Sequence, residues 1–343
     1  MVASPIGWGL IGASNIARQR IAGAIQHSNH GRLVGIASHS PSLAQQFARD
    51  FNIPFSYASV ADLLANPEVA AVYVSSTNQH HHAQVLAAAA AGKHVLCEKP
   101  LATRLEDAIE MVAACRARGL VMGTNHHLRN ATTVRAIRQR IADGSIGETL
   151  SAMVSQPIFI PEKEWRRTNY AAGAGVSFDI LVHSADAIRF VLGREPVEVS
   201  AIGRSSPSMA EGVHDAIMAV FGFEGGAIAQ LYADFNTPQA RNRIEIHGSE
   251  GSIVGADVLG KAPGLPGRVS LRRKGVEEEI AVESDTSRYL VGINLFNAAI
   301  RGEGQPACSG GDGIRSLAMI LAAEQAARTG IRVPIGNEGL EFH

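Results

Sequence analysis

Two stretches carry residues whose types and spacing suit proton and hydride chemistry. In the run from Gly173 to Asp186, Asp179 and His183 stand four apart, and Asp186 is three further on. On a helix that spacing puts Asp179 and His183 on one face. A carboxylate one turn from an imidazole holds the ring in place or raises its pKa, which suits proton transfer near pH 7. The same pattern also describes a buried polar pair bracing a helix. Gly173 and Gly175 weigh towards a site, because they let backbone or ligand come close at the helix start. The second stretch is Glu98-Lys99-Pro100, directly after the apolar run His94-Val95-Leu96-Cys97. An ammonium at the carboxyl tip of a strand points into the crevice where open α/β sheets bind ligands.

A third stretch suits phosphate. Ile6 to Ile11 is an apolar run that ends in Gly12 and leads through Ala13-Ser14-Asn15-Ile16 into an alanine-rich helical pattern at Ala17. A dinucleotide pyrophosphate needs backbone N–H groups at a helix N-terminus and little side-chain bulk in its way. Gly12 supplies the turn, and Ala17 is small enough for close helix–strand contact. Ser14 stands where the fingerprint expects its second glycine; its hydroxyl can donate to a phosphate. An ordinary strand-to-helix turn would read the same way.

The elements that must position these residues alternate regularly. Strand-like runs at Leu33–Ala37, Ala70–Ser75, His94–Cys97 and Leu120–Gly123 are separated by helical patterns at Asn15–Gln26, Ser42–Asp50, Ala83–Ala91 and Leu105–Gly119. Such alternation predicts a parallel sheet with helices on both faces. The tip of the second strand reads Ser38-His39-Ser40, where an NAD-preferring site has an acidic residue for the ribose 2′-OH. Two hydroxyls and an imidazole favour NADP(H) over NAD(H), although Leu43 and Gln45 follow instead of an arginine. A polar loop before a helix cap is the other reading of these three residues. The tip of the third strand, Ser76-Thr77-Asn78-Gln79-His80-His81-His82, lies where the sheet would bind a ligand. Its adjacent histidines diverge on any regular element and have no cysteine or acidic cluster beside them, so no metal is expected.

After residue 124 the organisation changes. A basic amphipathic helix over 130–143 is followed by long alternating stretches at Thr149–Phe159, Val213–Phe223, Ala227–Phe235 and Arg241–His247, and by Ile253. The expected fold class is therefore α/β: an N-terminal Rossmann doubly wound parallel sheet (1–124) plus a C-terminal α+β domain with a largely antiparallel open sheet (125–343). A late helix over 313–328 is placed to return to the first domain.

Composition narrows the partners. A formal net charge of −1 provides no field for nucleic acid or an anionic membrane. No apolar run reaches the roughly 18 residues of a membrane span. Three scattered cysteines, Cys97, Cys115 and Cys308, form neither a disulfide framework nor a zinc site. With no basic leader ahead of the first strand, a cytoplasmic location is expected.

The Gly12 turn, Thr77-Asn78 with His81, Glu98-Lys99-Pro100, Asn125, and Gly173 through Asp186, in this order, resemble the Gfo/Idh/MocA family of sugar oxidoreductases. The match spans nearly the whole chain, and the Glu-Lys-Pro and Asp-x-x-x-His elements together are specific. The resemblance implies NADPH-dependent reduction of a ketone on a small sugar. Lys99 would contact the nicotinamide ribose and the substrate, His183 would protonate the new alkoxide, and Asp179 would orient the substrate or His183. Trp165, Arg166 and His127 would contact the sugar. The dinucleotide would lie against Gly12, Ala13, Ser14, Asn15, Ile16, Ser38, His39, Ser40, Ser76, Thr77, Asn78, His81, Glu98, Lys99 and Asn125. The rival expectations are an NAD(P)-dependent dehydrogenase of another sugar or inositol, NAD-dependent glycoside hydrolysis, and a non-catalytic dinucleotide-sensing regulator. The chain would be a monomer or a homo-oligomer through the C-terminal sheet.

Overall fold

Strands buried on both faces read as continuous apolar runs, whereas strands with one wet face alternate; the two halves of the chain divide along this line. A computed structural model describes residues 4–162, 164–169, 172–260, 267–283 and 287–336. Strands β1 (Ile6–Ile11), β2 (Gly31–Ala37), β3 (Phe55–Tyr57), β4 (Ala71–Val74), β5 (His94–Cys97) and β6 (Met122–Thr124) form one sheet in the order β3-β2-β1-β4-β5-β6. Every pairing in it is parallel. Strands β1 and β4 are buried at every position. The strand order reverses between β1 and β4, which is where a doubly wound sheet opens a crevice at its carboxyl edge.

The core of this unit contains Trp8, Leu10, Ile25, Ile36, Phe47 and Tyr73. A helix from far along the chain, Arg288–Ile300, completes it with Tyr289, Ile293 and Phe296. The Trp8 and Phe296 ring centroids are 5.4 Å apart. The buried indole N–H of Trp8 donates to Asn297 Oδ1 at 3.0 Å. Asn297 Nδ2 donates in turn to Ser28 Oγ at 3.2 Å and to the Asn29 carbonyl at 2.8 Å.

The second unit is built on nine strands: β7 (Thr149–Pro157), β8 (Pro196–Arg204), β9 (Ala216–Phe223), β10 (Ile228–Asp234), β11 (Arg243–Gly248), β12 (Gly251–Ala256), β13 (Arg268–Arg273), β14 (Val276–Ile280) and β15 (Val333–Pro334). Their order is β14-β13-β12-β11-β7-β10-β9-β8-β15. All pairings are antiparallel except β7 with β10. Alternate residues such as Val154, Phe221, Leu231 and Ile246 are buried. The opposite face exposes Met153, Ile202, Met218, Val220 and Ile228, Ile202 to 79%.

By contact, residues up to 127 with 287–314 make the first unit, and 128–283 with 315–336 the second. The chain passes between them after His127 and again after Ile314, inside the helix Gly310–Thr329. Among the described residues no helix is long and apolar enough to cross a membrane.

Removing the Asn297 amide leaves the buried Trp8 N–H and the Asn29 carbonyl without their partner, a loss of about 1–3 kcal/mol. Asn297→Ala is therefore expected to lower the stability of the first unit by that amount. Urea denaturation followed by Trp8 fluorescence checks it; an unchanged midpoint would remove the network from the list of stabilising contacts.

Candidate active site

The turn after β1 leaves no room for a side chain. Gly12 has φ +103°, and a Cβ there would lie 3.0 Å from the Ser75 carbonyl carbon and the Ser76 nitrogen. The Gly12 N–H donates to the Ala37 carbonyl at 2.8 Å, which ties the turn to β2. Ser14 acts as the helix cap. Its carbonyl accepts from Arg18 N at 3.0 Å, and its hydroxyl accepts from Ala17 N at 3.1 Å while donating to Ser75 Oγ at 2.8 Å. A serine in the second glycine position is thus used twice, once for the helix and once to join the β1 and β4 tips. Asn15 is exposed, and Ala13 and Ile16 are half-buried.

At the tip of β2, the reading of Ser38-His39-Ser40 as a polar loop before a helix cap has a direct counterpart. Ser40 is the cap of the helix Pro41–Asp50 and accepts from Leu43 N at 3.5 Å. Ser38 Oγ accepts from Ser40 N at 3.3 Å, and His39 is exposed. The first turn of that helix contains no acidic residue, so an anion placed there would meet a helix N-terminus and no like charge from that turn.

Beyond β4, Ser76 Oγ donates to Gln84 Oε1 at 2.6 Å, Thr77 is exposed, and Asn78 opens a short turn, Asn78–His80. His81 is fully buried. Its Nδ1 is 3.0 Å from the Pro100 carbonyl and its Nε2 3.1 Å from the Ser76 carbonyl. Burial holds this imidazole below its ordinary pKa against those carbonyls and the Glu98 charge.

Glu98 is the centre of a polar knot beside Lys99. Its N–H donates to the Val74 carbonyl at 2.9 Å, and its Oε2 accepts from Lys99 N at 3.2 Å. Its Oε1 accepts from Asn125 Nδ2 at 2.7 Å and from the Tyr73 hydroxyl. Asn125 Nδ2 also reaches Tyr73 Oη at 2.9 Å, and Asn125 N donates to the Cys97 carbonyl at 2.7 Å. Tyr73 was hidden inside a buried apolar run; the available signal was that a buried tyrosine needs a partner for its hydroxyl. Burial, then the neighbouring Glu98 carboxylate, pushes the Tyr73 pKa far up, so its hydroxyl stays a donor. His127 is buried and stacks on Tyr289 with centroids 4.8 Å apart.

In the second unit the structure brings Trp165, Arg166 and Asp179 together. Arg166 Nε lies 3.0 Å from Asp179 Oδ2, and its guanidinium sits 4.9 Å from the centre of the Trp165 ring. Asp179 belongs to a π turn, Ser177–Leu181, and His183 to the regular helix Val182–Leu192 that follows. One-turn π segments recur at functional sites; neither spacing nor composition signals one here. His183 is buried, with 4% exposed. The close approach at Gly175 (φ +111°) is made by the protein itself, since a Cβ there would meet Val213 at 3.1 Å. Asp186 is a structural charge. It accepts from Arg129 Nε at 2.8 Å and Nη2 at 2.7 Å and from Ser316 Oγ at 3.0 Å.

Glu324 braces the π turn. It accepts from Ser177 Oγ at 2.5 Å and from His214 Nδ1 at 2.8 Å. That carboxylate raises the His214 pKa above the ordinary 6.5. A group with a raised folded-state pKa stabilises fully below its unfolded value and loses that contribution as pH climbs through the folded one. The thermal midpoint is accordingly expected to fall as pH rises upward from about 6.5, with His214→Gln abolishing this part of the slope. Melting curves of both proteins across neutral to alkaline pH check it; parallel slopes would refute it.

The first unit matches the family model described as an oxidoreductase family with an NAD-binding Rossmann fold, over residues 6–126. The GFO/IDH/MocA C-terminal domain matches residues 134–254. The 1,5-anhydro-D-fructose reductase of Ensifer adhaerens is 46% identical over 94% of this chain and 96% of its own length. An aldose–aldose oxidoreductase from Caulobacter crescentus, solved with glycerol, superposes with a TM-score of 0.89 at 26% identity, covering 96% of this chain and 99% of that one. A 3-ketoreductase from Actinomadura kijaniata, solved with NADP and TDP-benzene, gives a TM-score of 0.84 at 27% identity over 94% and 98%.

Proposed function

The chain belongs to the GFO/IDH/MocA oxidoreductase family, and from that premise we propose that it reduces a ketone on a small sugar with NADPH, 1,5-anhydro-D-fructose to 1,5-anhydro-D-mannitol being the foremost pair. The observation that carries this reading is the 46% identity to the Ensifer reductase along nearly the full length of both chains.

The residues present fit a dinucleotide. The Gly12 turn leaves the helix N-terminus unobstructed by a side chain, and the backbone from Ala13 to Ile16 is assigned to the pyrophosphate. Ser38, His39 and Ser40, at a helix start without an acidic residue, are assigned to the 2′-phosphate, which supports NADP(H) over NAD(H). Ser76, Thr77, Asn78, Glu98 and Asn125 complete the cofactor side of the assignment, Lys99 serving both cofactor and substrate; His81, expected there from the sequence, is fully buried with both ring nitrogens against backbone carbonyls and is left out of it.

When bound, the reduced nicotinamide supplies the hydride that the ketone carbon accepts. The protein handles the charge that then grows on oxygen. Lys99 stabilises it electrostatically, and His183 gives that oxygen its proton, leaving an alcohol. Asp179, tied to Arg166 beside Trp165, orients the sugar together with His127.

Purified protein with 1,5-anhydro-D-fructose is expected to consume reduced-nicotinamide absorbance quickly with NADPH and much more slowly with NADH. His183→Ala should lower kcat by roughly 10²–10⁴-fold, the usual range for a general acid. A loss under about threefold in a folded variant would remove His183 from that role. Turnover only with sugar alcohols and an oxidised cofactor would mark a dehydrogenase of another sugar or inositol instead.

Two further assignments belong to this reading. The three cysteines are free and buried, which suits a reducing compartment, and the protein is placed in the cytoplasm. The apolar side chains Ile202, Met218, Val220 and Ile228 on the open sheet face support self-association through that face. Sedimentation velocity is expected to show an oligomer that Met218→Lys dissociates; a monomer before and after the substitution would overturn this.

A further inference from the structure

His81 is one of three consecutive histidines, and the structure separates it from its neighbours. It is the first residue of the helix His81–Ala90, with no exposed surface. Its two ring nitrogens meet two carbonyl oxygens: Ser76, just past β4, at 3.1 Å and Pro100, just past β5, at 3.0 Å. A carbonyl oxygen only accepts, so each contact requires an N–H from the ring. The imidazolium supplies both at once, and a neutral ring supplies one at a time. Glu98 is the titratable group that faces it, and burial favours the neutral ring.

We propose that His81 is a positioning residue, a clasp between the β4 and β5 tips that sets where Lys99 stands. Pro100, whose carbonyl it holds, directly follows Lys99. Ser76, whose carbonyl it also holds, has its backbone nitrogen within 3.0 Å of the Cβ position at Gly12. The clasp therefore references Lys99 to the phosphate turn. No exposed atom of His81 is left for direct contact with a ligand, so its effect on the reaction runs through Lys99. The Lys99 N–H in turn donates to the side chain of the preceding residue, Glu98. The inference rests on the ketone-reduction reading for its kinetic consequence, though not for its structural one.

Two substitutions test it in the full-length protein. His81→Phe keeps a ring of similar size and supplies no donor. His81→Gln keeps two N–H donors on one nitrogen. Hydrogen–deuterium exchange needs no substrate and so stands apart from the reaction. In His81→Phe, exchange is expected to rise in the peptides holding Lys99–Ala102 and Ser76–Asn78 while β1 and β2 keep theirs, and His81→Gln is expected to restore much of the protection. Kinetics give the second readout: His81→Phe should lower kcat at saturating sugar and NADPH roughly tenfold or more, because misplacing a catalytic group is costly. Unchanged exchange at Lys99–Ala102, exchange rising alike throughout the chain, or a kcat equal to that of the unaltered protein would each overturn the clasp. If the unaltered protein reduces no ketone, the reaction reading fails while the exchange result still decides the clasp.

Discussion

The backbone after β1 passes so close to the tip of β4 that no side chain fits between them, and the geometry of the first unit follows from that approach. It is set by strand order: β1 and β4 are neighbours where the order reverses, and the crevice at their carboxyl ends is left free of helix. Glycine at position 12 permits the approach. Ser14 can then reach Ser75 with one lone pair still capping the helix. From Ser76 the contacts run through His81 to Pro100, and from Val74 to Glu98. Lys99 is thereby located relative to the phosphate turn by hydrogen bonds, although 87 residues of sequence separate Lys99 from Gly12.

The second unit shows how one motif divides between an accessible carboxylate and a fully buried one. Asp179 and Asp186 look alike in the sequence. Asp186 is fully buried and receives a two-pronged Arg129 and a serine. Taking two charges out of water is offset only by such complete pairing, and losing one partner of a buried pair costs several kcal/mol. Asp179 keeps partial exposure, with 19% of its side chain accessible, and meets Arg166 alongside an aromatic ring. Its carboxylate therefore stays accessible beside a guanidinium that is itself held over the Trp165 ring, the setting on which the proposed substrate contact rests. The difference lies in the partners, and the partners come from Arg129, Ser316 and Arg166, none of them in the motif itself.

This separates what could be read in the sequence from what could not. The parallel sheet was legible because β1, β4 and β5 are apolar runs bounded by turn residues. The largely antiparallel sheet was legible because β7, β9 and β10 alternate. Strands β3, β8, β13, β14 and β15 went unread. Strand β14 is mostly glutamate, a charged edge that carries little apolar signal. The helix Arg288–Ile300 went unread for another reason. Its Tyr289, Ile293 and Phe296 keep helical spacing behind a Ser287 cap, but nothing local says that its apolar face belongs to a core built more than 150 residues earlier. Among site groups, Gly12, Ser38, Glu98 and Lys99 could be named from their place after strands. Tyr73, Glu324 and His214 could not, because their significance arises only from long-range pairing with Glu98 and Ser177.

Cofactor choice follows from the same local physics. A carboxylate at the tip of β2 would select NAD by accepting from its 2′-OH and repelling a 2′-phosphate. This chain has hydroxyls there, one of them already capping a helix. A helix N-terminus contributes roughly half a positive charge, and Ser38 can add a hydrogen bond. Arg18, on the helix that follows the Gly12 turn, is tied to Asp50 and lies 4.8 Å from the centre of the Phe47 ring, so its guanidinium is committed elsewhere. Discrimination built from a dipole and hydroxyls is weaker than discrimination built from a bidentate guanidinium. The proposed preference for NADP(H) thus rests on the absence of a repulsion at the tip of β2, and its strength would be set by how fully the Ser38–Ser40 segment can turn its hydroxyl and N–H groups towards a phosphate.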